Sequence, residues 1–238
     1  MGPARFRLRG SPDEWGRRMI RVLLVDDQSL FRVAIATLIG LEDDIEVVGQ
    51  AADGLQALQL VDETEPDVVV MDVRMPRMDG VETTRRLLAA GAARRTTPRV
   101  IILTTFTFDQ QALRAVRLGA SGFLLKDVDP DLLVAAIRTA HRGGSLIAPG
   151  QLEDIFEQGG REPSELPAEF SRLTDRERAV LAHITRGLSN SEIAEREFLS
   201  ESTVKSHVSS VLTKLGLRDR TQIVVFAYDH GVMAPREE

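Results

Sequence analysis

The chain has 238 residues, enough for one large domain or two of ordinary size. Its hydrophobic content of 43% and charged content of 28% are those of a soluble globular protein, and no apolar run approaches the ~20 residues of a membrane span. Because the net charge is -6, the protein is not basic overall, and nucleic-acid binding would need a local basic patch. The absence of cysteine excludes disulfides and thiolate metal sites and favours a cytoplasmic location.

The N-terminal part of the chain divides into an extension and an α/β region. Residues 1–18 carry arginines but lack the apolar core of a secretory signal, so we expect a disordered N-terminal extension. Residues 19–142 then alternate short apolar runs with amphipathic segments. The apolar runs predict strands near 20–25, 45–51, 67–71, 100–103 and 122–125. The amphipathic segments predict helices near 29–40, 54–63, 80–90, 108–118 and 130–142.

Regular alternation of strands and helices predicts a parallel sheet with helices on both faces. Five strands suit the smaller doubly wound, flavodoxin-like order, 2-1-3-4-5. In such a sheet ligands bind in a crevice at the carboxyl ends of the strands, so residues that follow the strands are the first candidates for a site.

The C-terminal part is predicted to be a linker followed by a small helical domain. Residues 143–171 are rich in Gly, Pro and Glu, which is typical of a linker, with one short helix expected around 152–156. The small domain is predicted at residues 172–238, with residues 173–231 helical. Thr174 with Glu177, and Ser189 with Glu192, fit the capping box that opens a helix. Ser200 is a third N-cap, and the short connection before it predicts a helix-turn-helix.

Charged and hydroxyl side chains follow the predicted strands. Asp26 and Asp27 come directly after the first strand and Asp72 after the third, while Thr104 ends the fourth and Lys126 follows the fifth. Taken singly, an aspartate here is more often a turn former or helix cap, and a lysine is more often solvated. Together, carboxylates suit Mg2+, and an added lysine and hydroxyl suit a phosphoryl group. The combination therefore predicts a metal-dependent phosphoryl site on an aspartate.

These residues lie in sequences that resemble a known family. VDD at 25–27, MDVRMPRMDG at 71–80, LTTF at 103–106 and GFLLKD at 122–127 resemble the receiver domain of bacterial response regulators. The resemblance implies that Asp72 is the phosphoacceptor. It also implies a Mg2+ site formed by Asp26, Asp27, Asp72 and Arg74. In that site Asp27 binds the ion directly, Asp26 binds it directly or through water, and Arg74 binds it through its main-chain carbonyl.

The same resemblance assigns the remaining receiver residues. Lys126 pairs with the phosphoryl group. Thr104 and Phe123 form a switch pair, in which the hydroxyl moves toward the phosphate and the ring fills the vacated space. A sensor histidine kinase is the implied phosphodonor.

The C-terminal sequence resembles the LuxR-type helix-turn-helix. The matching text is LTDRERAVL at 173–181 and GLSNSEIAEREFLSESTVKSHVSSVLTKLGLRDR at 187–220. Joined to a receiver through a linker, it resembles the NarL/FixJ class of response regulators. Homodimers that bind an inverted repeat of double-stranded DNA are implied.

The helix predicted at 202–215 has two different faces. Its apolar positions recur at helical spacing and are assigned to the core. The opposite face is small, polar and free of acids, which suits entry into the major groove, although a plain solvated face is the alternative. The resemblance implies base contacts for Lys205, Ser206 and Ser209. It implies phosphate contacts for Thr203, His207 and Lys214, with Arg218 and Arg220 adding backbone contacts; His207 is alternatively a packing residue.

Three functions are compatible with these patterns. The leading one is a transcription factor that phosphorylation of Asp72 activates. The second is a phosphorylation-independent DNA binder whose receiver responds to a ligand or partner. The third is a metal-dependent phosphatase on a similar sheet, but such enzymes need a second acid where this chain has Arg74. We therefore expect no enzyme activity beyond slow loss of the chain's own phosphate.

Overall fold

A computed structural model of the protein describes residues 19–93, 97–105, 110–144 and 164–232. The extension predicted for residues 1–18 and the short helix predicted around 152–156 lie outside the described residues. Among the helices within the described ranges, none has the length and apolar character that crossing a membrane requires.

The N-terminal region is a five-stranded parallel sheet. Its strands are β1 Ile20–Val25, β2 Ile45–Ala51, β3 Val68–Asp72, β4 Arg99–Thr104 and β5 Gly122–Leu125. They pair in the order β2-β1-β3-β4-β5, all in parallel. All five residues of the central strand β3 are buried, which explains its continuous apolar sequence. The predicted fold class and strand order are confirmed.

Five helices cover the two faces of the sheet. They are α1 Ser29–Ile39, α2 Gly54–Thr64, α3 Gly80–Ala89, α4 Gln110–Arg117 and α5 Pro130–His141. Aspartate side chains cap α2, α3 and α5 by accepting main-chain N–H groups of the first turn. Alternate strand residues point to opposite faces, so Leu23 packs in the core on one side and Leu24 in the core on the other.

The C-terminal region is helical. A 3-10 turn at Ala168–Arg172 precedes α6 Asp175–Thr185, α7 Asn190–Glu197, α8 Glu201–Leu215 and α9 Arg220–Asp229. Both predicted capping boxes are present, and the hydroxyl of Ser200 caps α8. Phe198 caps the end of α7 in the left-handed conformation, and only three residues, 198–200, separate α7 from α8. The predicted helix-turn-helix is therefore formed by α7 and α8.

The two regions share one apolar core. Side chains of α4, such as Leu113 and Val116, belong to the same buried cluster as Ile223 and Val225 of α9. This packing was not predicted from the sequence. Its consequence is that α9 lies between its own helical region and the sheet region.

Candidate phosphoryl site and nucleic-acid interface

Three carboxylates meet at the carboxyl edge of the sheet. Asp26 follows β1 and Asp72 ends β3, and β1 and β3 are neighbours in the sheet. Oxygen atoms of Asp26, Asp27 and Asp72 all lie within 4.8 Å of one another. Asp26 and Asp72 are buried, with 3% and 5% of their surface exposed, whereas Asp27 is exposed. The structure thus brings together the acids that the sequence predicted.

Lys126 bridges the two buried acids. Its Nζ lies 2.6 Å from Asp26 Oδ2 and 2.9 Å from Asp72 Oδ2. Burial raises the pKa of Asp72, and the charge of Asp26 adds to this effect against the hydrogen bond from Lys126. Burial alone would lower the pKa of Lys126, but the two carboxylates outweigh it and raise that pKa. Three acids and one lysine leave the site with an excess of negative charge.

This donor set fits a divalent cation. Mg2+ binds oxygen ligands at about 2.1 Å in octahedral geometry, so opposite ligands lie roughly 4.2 Å apart. The three carboxylates span a comparable distance, and a cation among them would offset their charge. The fourth predicted contact, the carbonyl of Arg74, lies in the loop after β3, where the Arg74 N–H donates to Asp72 Oδ1 at 3.3 Å.

A cavity of about 550 Å³ opens beside the acids. Its lining includes Asp27 and the loop residues Arg74, Met75 and Pro76. Because Asp27 and Arg74 are exposed, this side of the site is open to solvent.

The predicted switch residues lie on one face of two paired strands. Thr104 ends β4 and pairs with Leu125, while Phe123 pairs with Ile102. Residues two apart on a strand share a face, so Thr104 and Phe123 are diagonal neighbours. Both are buried, and the Thr104 carbonyl accepts the Lys126 N–H at 2.8 Å. This hydrogen bond joins the end of β4 to the residue that follows β5, so a displacement of Lys126 or Thr104 would also displace the other residue.

Two residues of α1 belong to the site but were not predicted. The ring of Phe31 lies 5.0 Å from Lys126 Nζ, a cation–π contact. The guanidinium of Arg32 donates to the Asp26 carbonyl. Phe31 and Arg32 lie four and five residues after Asp27, at the start of the helix that follows the acids. This position near the acids was the signal available in the sequence.

The polar face of α8 is exposed as predicted. Ser202, Lys205, Ser206, Ser209 and Thr213 are all exposed, whereas Val204 and Val211 on the other face are buried. Some of these hydroxyls donate to main-chain carbonyls one turn earlier, as Ser206 does to Ser202 at 3.0 Å. Thr203 and His207 are partly buried at the margin of this face. The surface has the small polar character that close approach to a groove requires.

Lys214 occupies a different environment from the one predicted. Its Nζ donates to both carboxylate oxygens of Glu177, at 2.9 and 2.7 Å. Glu177 is 4% exposed, so the pair ties α8 to α6 inside the helical region. The sequence had assigned Glu177 only to a capping box, which it also forms through Thr174. The ammonium of Lys214 is thus engaged within the protein.

Arg218 and Arg220, for which DNA-backbone contacts were expected, also donate to acceptors within the protein. Arg220 donates to Asn190 Oδ1 at 3.0 Å and to the carbonyl of Leu188, and burial lowers its pKa to about 10. Arg218 donates to the carbonyl of Pro98 at 3.2 Å, across the contact with the sheet region. Both guanidinium groups satisfy main-chain acceptors, which a sequence does not reveal.

The chain is similar to known regulators over most of its length. Residues 22–138 match the response regulator receiver domain, and residues 171–227 match the luxR family of bacterial regulatory proteins. The transcriptional regulatory protein LnrK of Bacillus subtilis is 38% identical over 221 residues, covering 90% of this chain and 99% of that protein. The DNA-binding transcriptional activator DevR/DosR of Mycobacterium tuberculosis is 39% identical over 209 residues, covering 88% of this chain and 94% of that protein.

A solved structure shows the same relationship. The LuxR-family two-component response regulator from Aurantimonas sp. SI85-9A1 is 35% identical, with a TM-score of 0.53, and its match covers 60% of this chain and 99% of that chain. These similarities, together with the family matches at residues 22–138 and 171–227, identify the family. The chain belongs to the response regulators of two-component systems, with a LuxR-type DNA-binding region, and it is a DNA-binding transcriptional regulator.

Proposed function

We propose that a sensor histidine kinase phosphorylates Asp72 and that the phosphorylated chain binds DNA as a homodimer. The observation that carries the proposal is the convergence of Asp26, Asp27 and Lys126 on the Asp72 carboxylate. A buried carboxylate with a metal-binding acid pair and an ammonium at hand has what phosphoryl transfer requires.

The chemical step is a transfer between two nucleophiles. An oxygen of Asp72 attacks phosphorus, the bond from phosphorus to the donor's histidine nitrogen breaks, and that nitrogen keeps the electron pair and takes up a proton. The three acids and the carbonyl of Arg74 would hold Mg2+, which would supply positive charge to offset the charge of the transferred group. Lys126, which contacts Asp72 Oδ2, is placed to pair with a phosphoryl oxygen.

The later steps involve the chain alone. The hydroxyl of Thr104 donates to the phosphoryl group, and Phe123 responds on the same face of the strands. Water later cleaves the acyl phosphate slowly, so the chemistry is confined to the chain's own aspartate and no separate substrate is turned over. The regions we propose are a receiver at 19–142, a linker at 143–171 and a DNA-binding domain at 172–238.

We further propose that α8 enters the major groove. Lys205, Ser206 and Ser209 face base edges, and Thr203 and His207 lie toward phosphates, which their exposed or marginal positions on α8 support. A two-fold dimer then protects an inverted repeat, with half-sites about one helical turn, roughly 10 base pairs, apart. Footprinting on genomic DNA with and without phosphorylation tests this; protection of a single unpaired half-site would contradict it.

The phosphoacceptor is tested with acetyl phosphate and Mg2+. We expect one phosphoryl group on the wild-type chain by intact mass and none on Asp72→Asn. Asp127→Asn is the matched control, since Asp127 is an exposed aspartate next to Lys126. Mapping the acyl phosphate to another residue would overturn the assignment. DNA binding that phosphorylation does not change would instead favour a receiver that responds to a ligand or partner.

A further inference from the structure

The loop between β3 and α3 is tied to α2 by an ion pair. This loop, residues 73–79, carries the Arg74 carbonyl that we propose as a Mg2+ ligand, three residues before Arg77. Arg77 Nη2 contacts Oδ2 of Asp53, the residue that caps α2. The side chain of Arg77 is 63% exposed, whereas that of Asp53 is fully buried. Arg77 is thus a surface residue of the loop whose charge is directed at a buried acid.

Burial makes this ion pair more important to Asp53 than a surface pair would be. The other carboxylate oxygen of Asp53, Oδ1, accepts the main-chain N–H groups of Leu55 at 2.8 Å and Gln56 at 3.1 Å, and so caps the helix. Oδ2 is the oxygen that faces Arg77. Removing the cation would leave a buried carboxylate with less compensation for its charge. The pair therefore joins the loop to α2 more firmly than two exposed side chains would.

The backbone of Arg77 has an uncommon conformation. Its φ angle is 65°, in the left-handed region that glycine occupies readily and that costs other residues free energy. A side chain persists in that region where the surrounding contacts outweigh the cost. The ion pair with Asp53 is such a contact. A strained backbone together with a directed charge indicates a role for the ion pair beyond that of a plain turn.

Main-chain contacts hold the same loop. The N–H of Gly54, the first residue of α2, donates to the Met78 carbonyl at 3.2 Å. A Cβ atom at Gly54 would lie 2.9 Å from that carbonyl oxygen and still closer to a side chain of α3, so a larger residue would not fit. The loop is closed at its base, where the Gly80 N–H donates to the Val73 carbonyl at 2.9 Å. The Arg74 carbonyl therefore lies between the closed base and the contacts with α2.

We propose that Arg77 and Asp53 are positioning residues for the metal site, and that their ion pair holds the loop so that the Arg74 carbonyl faces the acids. The inference rests on the proposed Mg2+ site and extends it to two residues outside its ligand set. Mg2+ demands near-ideal octahedral geometry, so its affinity is sensitive to a displaced ligand. Groups that orient a metal ligand commonly change affinity by about 10- to 100-fold when they are removed. Loss of the pair should therefore weaken Mg2+ binding without any change at Asp72.

Arg77→Gly and Asp53→Asn break the pair in opposite ways. Arg77→Gly removes a positive charge and relaxes the backbone, because glycine takes a positive φ readily. Asp53→Asn removes a negative charge and keeps a side-chain oxygen that can cap α2. If only the charges near the site mattered, Arg77→Gly would strengthen binding of the cation and Asp53→Asn would weaken it. If the pair positions the loop, both variants weaken it.

Isothermal titration calorimetry of the full-length chain with Mg2+ alone measures this effect. We expect each variant to raise the Mg2+ dissociation constant by about tenfold. The double variant should bind no more weakly than either single one, because both changes disrupt the same contact. Glu65→Gly is the matched control, because Glu65 is an exposed residue at the end of α2 that also has a positive φ, of 41°. It should bind Mg2+ as wild type does.

The rate of phosphorylation by acetyl phosphate separates positioning from general damage to the fold. At limiting Mg2+ both variants should react more slowly than wild type. Saturating Mg2+ should restore their rates to near the wild-type value, because Asp72 and Lys126 are unchanged. Rates that stay low at saturating Mg2+ would contradict a role that acts through the Arg74 carbonyl.

Hydrogen exchange without Mg2+ tests the hold on the loop apart from the metal. Peptides that span residues 73–79 should exchange faster in both variants, while peptides from β4 and β5 should be unchanged. If wild type and both variants bind Mg2+ equally well, the positioning role is wrong and the metal site stands. If wild type binds no Mg2+, the metal site fails, and faster exchange in both variants would still show that the pair holds the loop. Opposite shifts in the affinity of the two variants would reduce the pair to an effect of charge and overturn its positioning role.

Discussion

Lys214 of α8 and Glu177 of α6 form an ion pair inside the DNA-binding domain, with Nζ 2.7 Å from Oε2. Ser210, one turn earlier on α8, donates to the same carboxylate. One buried acid thus fixes the orientation of α8 against α6. The lysine that the sequence assigned to a DNA phosphate is part of the scaffold that presents the polar face of α8.

The two lysines of α8 should therefore behave differently. Lys214→Ala should lower the free energy of unfolding by about 1–3 kcal/mol, because Glu177 would be buried without its cation. Lys205→Ala should leave stability unchanged, since Lys205 is exposed, and should cost roughly 1–3 kcal/mol of specific DNA binding. Denaturant unfolding and binding titrations measure the two quantities. Equal stability of Lys214→Ala and wild type would show that the ion pair contributes nothing.

The stability of this domain should depend on pH through Glu177. Burial would raise the pKa of Glu177, but hydrogen bonds from Lys214, Ser210 and Thr174 outweigh it and lower the pKa to about 2 from its ordinary 4.5. A carboxyl whose pKa is lowered by folding stabilises the protein above its ordinary pKa, and this contribution is lost as pH falls toward the lowered value.

The difference in unfolding free energy between wild type and Glu177→Gln should therefore be largest above about pH 5 and shrink toward pH 2. Glutamine keeps the shape but has no charge to lose. Urea unfolding at a series of pH values measures the difference, and a gap that stays constant from neutral to acidic pH would contradict the assignment.

The sequence predicted local features well because local chemistry determines them. The apolar runs of β1 and β3, the capping boxes at Thr174 and Ser189, and the aspartates after the strands depend on neighbours along the chain. The docking of α9 was not predicted, because it depends on pairing Gln222 with carbonyls about 100 residues away. Main-chain acceptors carry no sequence signature, so the internal hydrogen bonds of Arg218 and Arg220 were not predicted either.

Phe31 should contribute to phosphorylation by holding Lys126 over the site. The ring lies 5.0 Å from the ammonium that Asp26 and Asp72 also contact, so it adds a third attraction to Lys126. Phe31→Leu keeps an apolar side chain but removes the ring, so it should slow phosphorylation by acetyl phosphate about two- to fivefold, the effect of roughly 0.5–1 kcal/mol. Val33→Ala is the control, because Val33 lies on α1 but is 58% exposed. Wild-type phosphorylation rates in Phe31→Leu would show that the ring has no part in positioning Lys126.

Thr104 should be needed for the response and not for the chemistry. Thr104→Ala keeps Asp72, the acids around it and Lys126, so acetyl phosphate should still add one phosphoryl group. The hydroxyl that we propose to bind the phosphoryl group would be gone, and the phosphorylated variant should stay largely monomeric and bind DNA weakly.

Thr104→Ser provides the matched comparison, because it restores the hydroxyl without the methyl group. We expect Thr104→Ser to recover phosphorylation-dependent dimerisation in analytical ultracentrifugation, because it keeps the hydroxyl that Thr104→Ala lacks. This hydroxyl lies on the strand face that Thr104 shares with Phe123. If phosphorylated Thr104→Ala dimerises as fully as wild type, the signal from Asp72 travels by a route that does not use this hydroxyl.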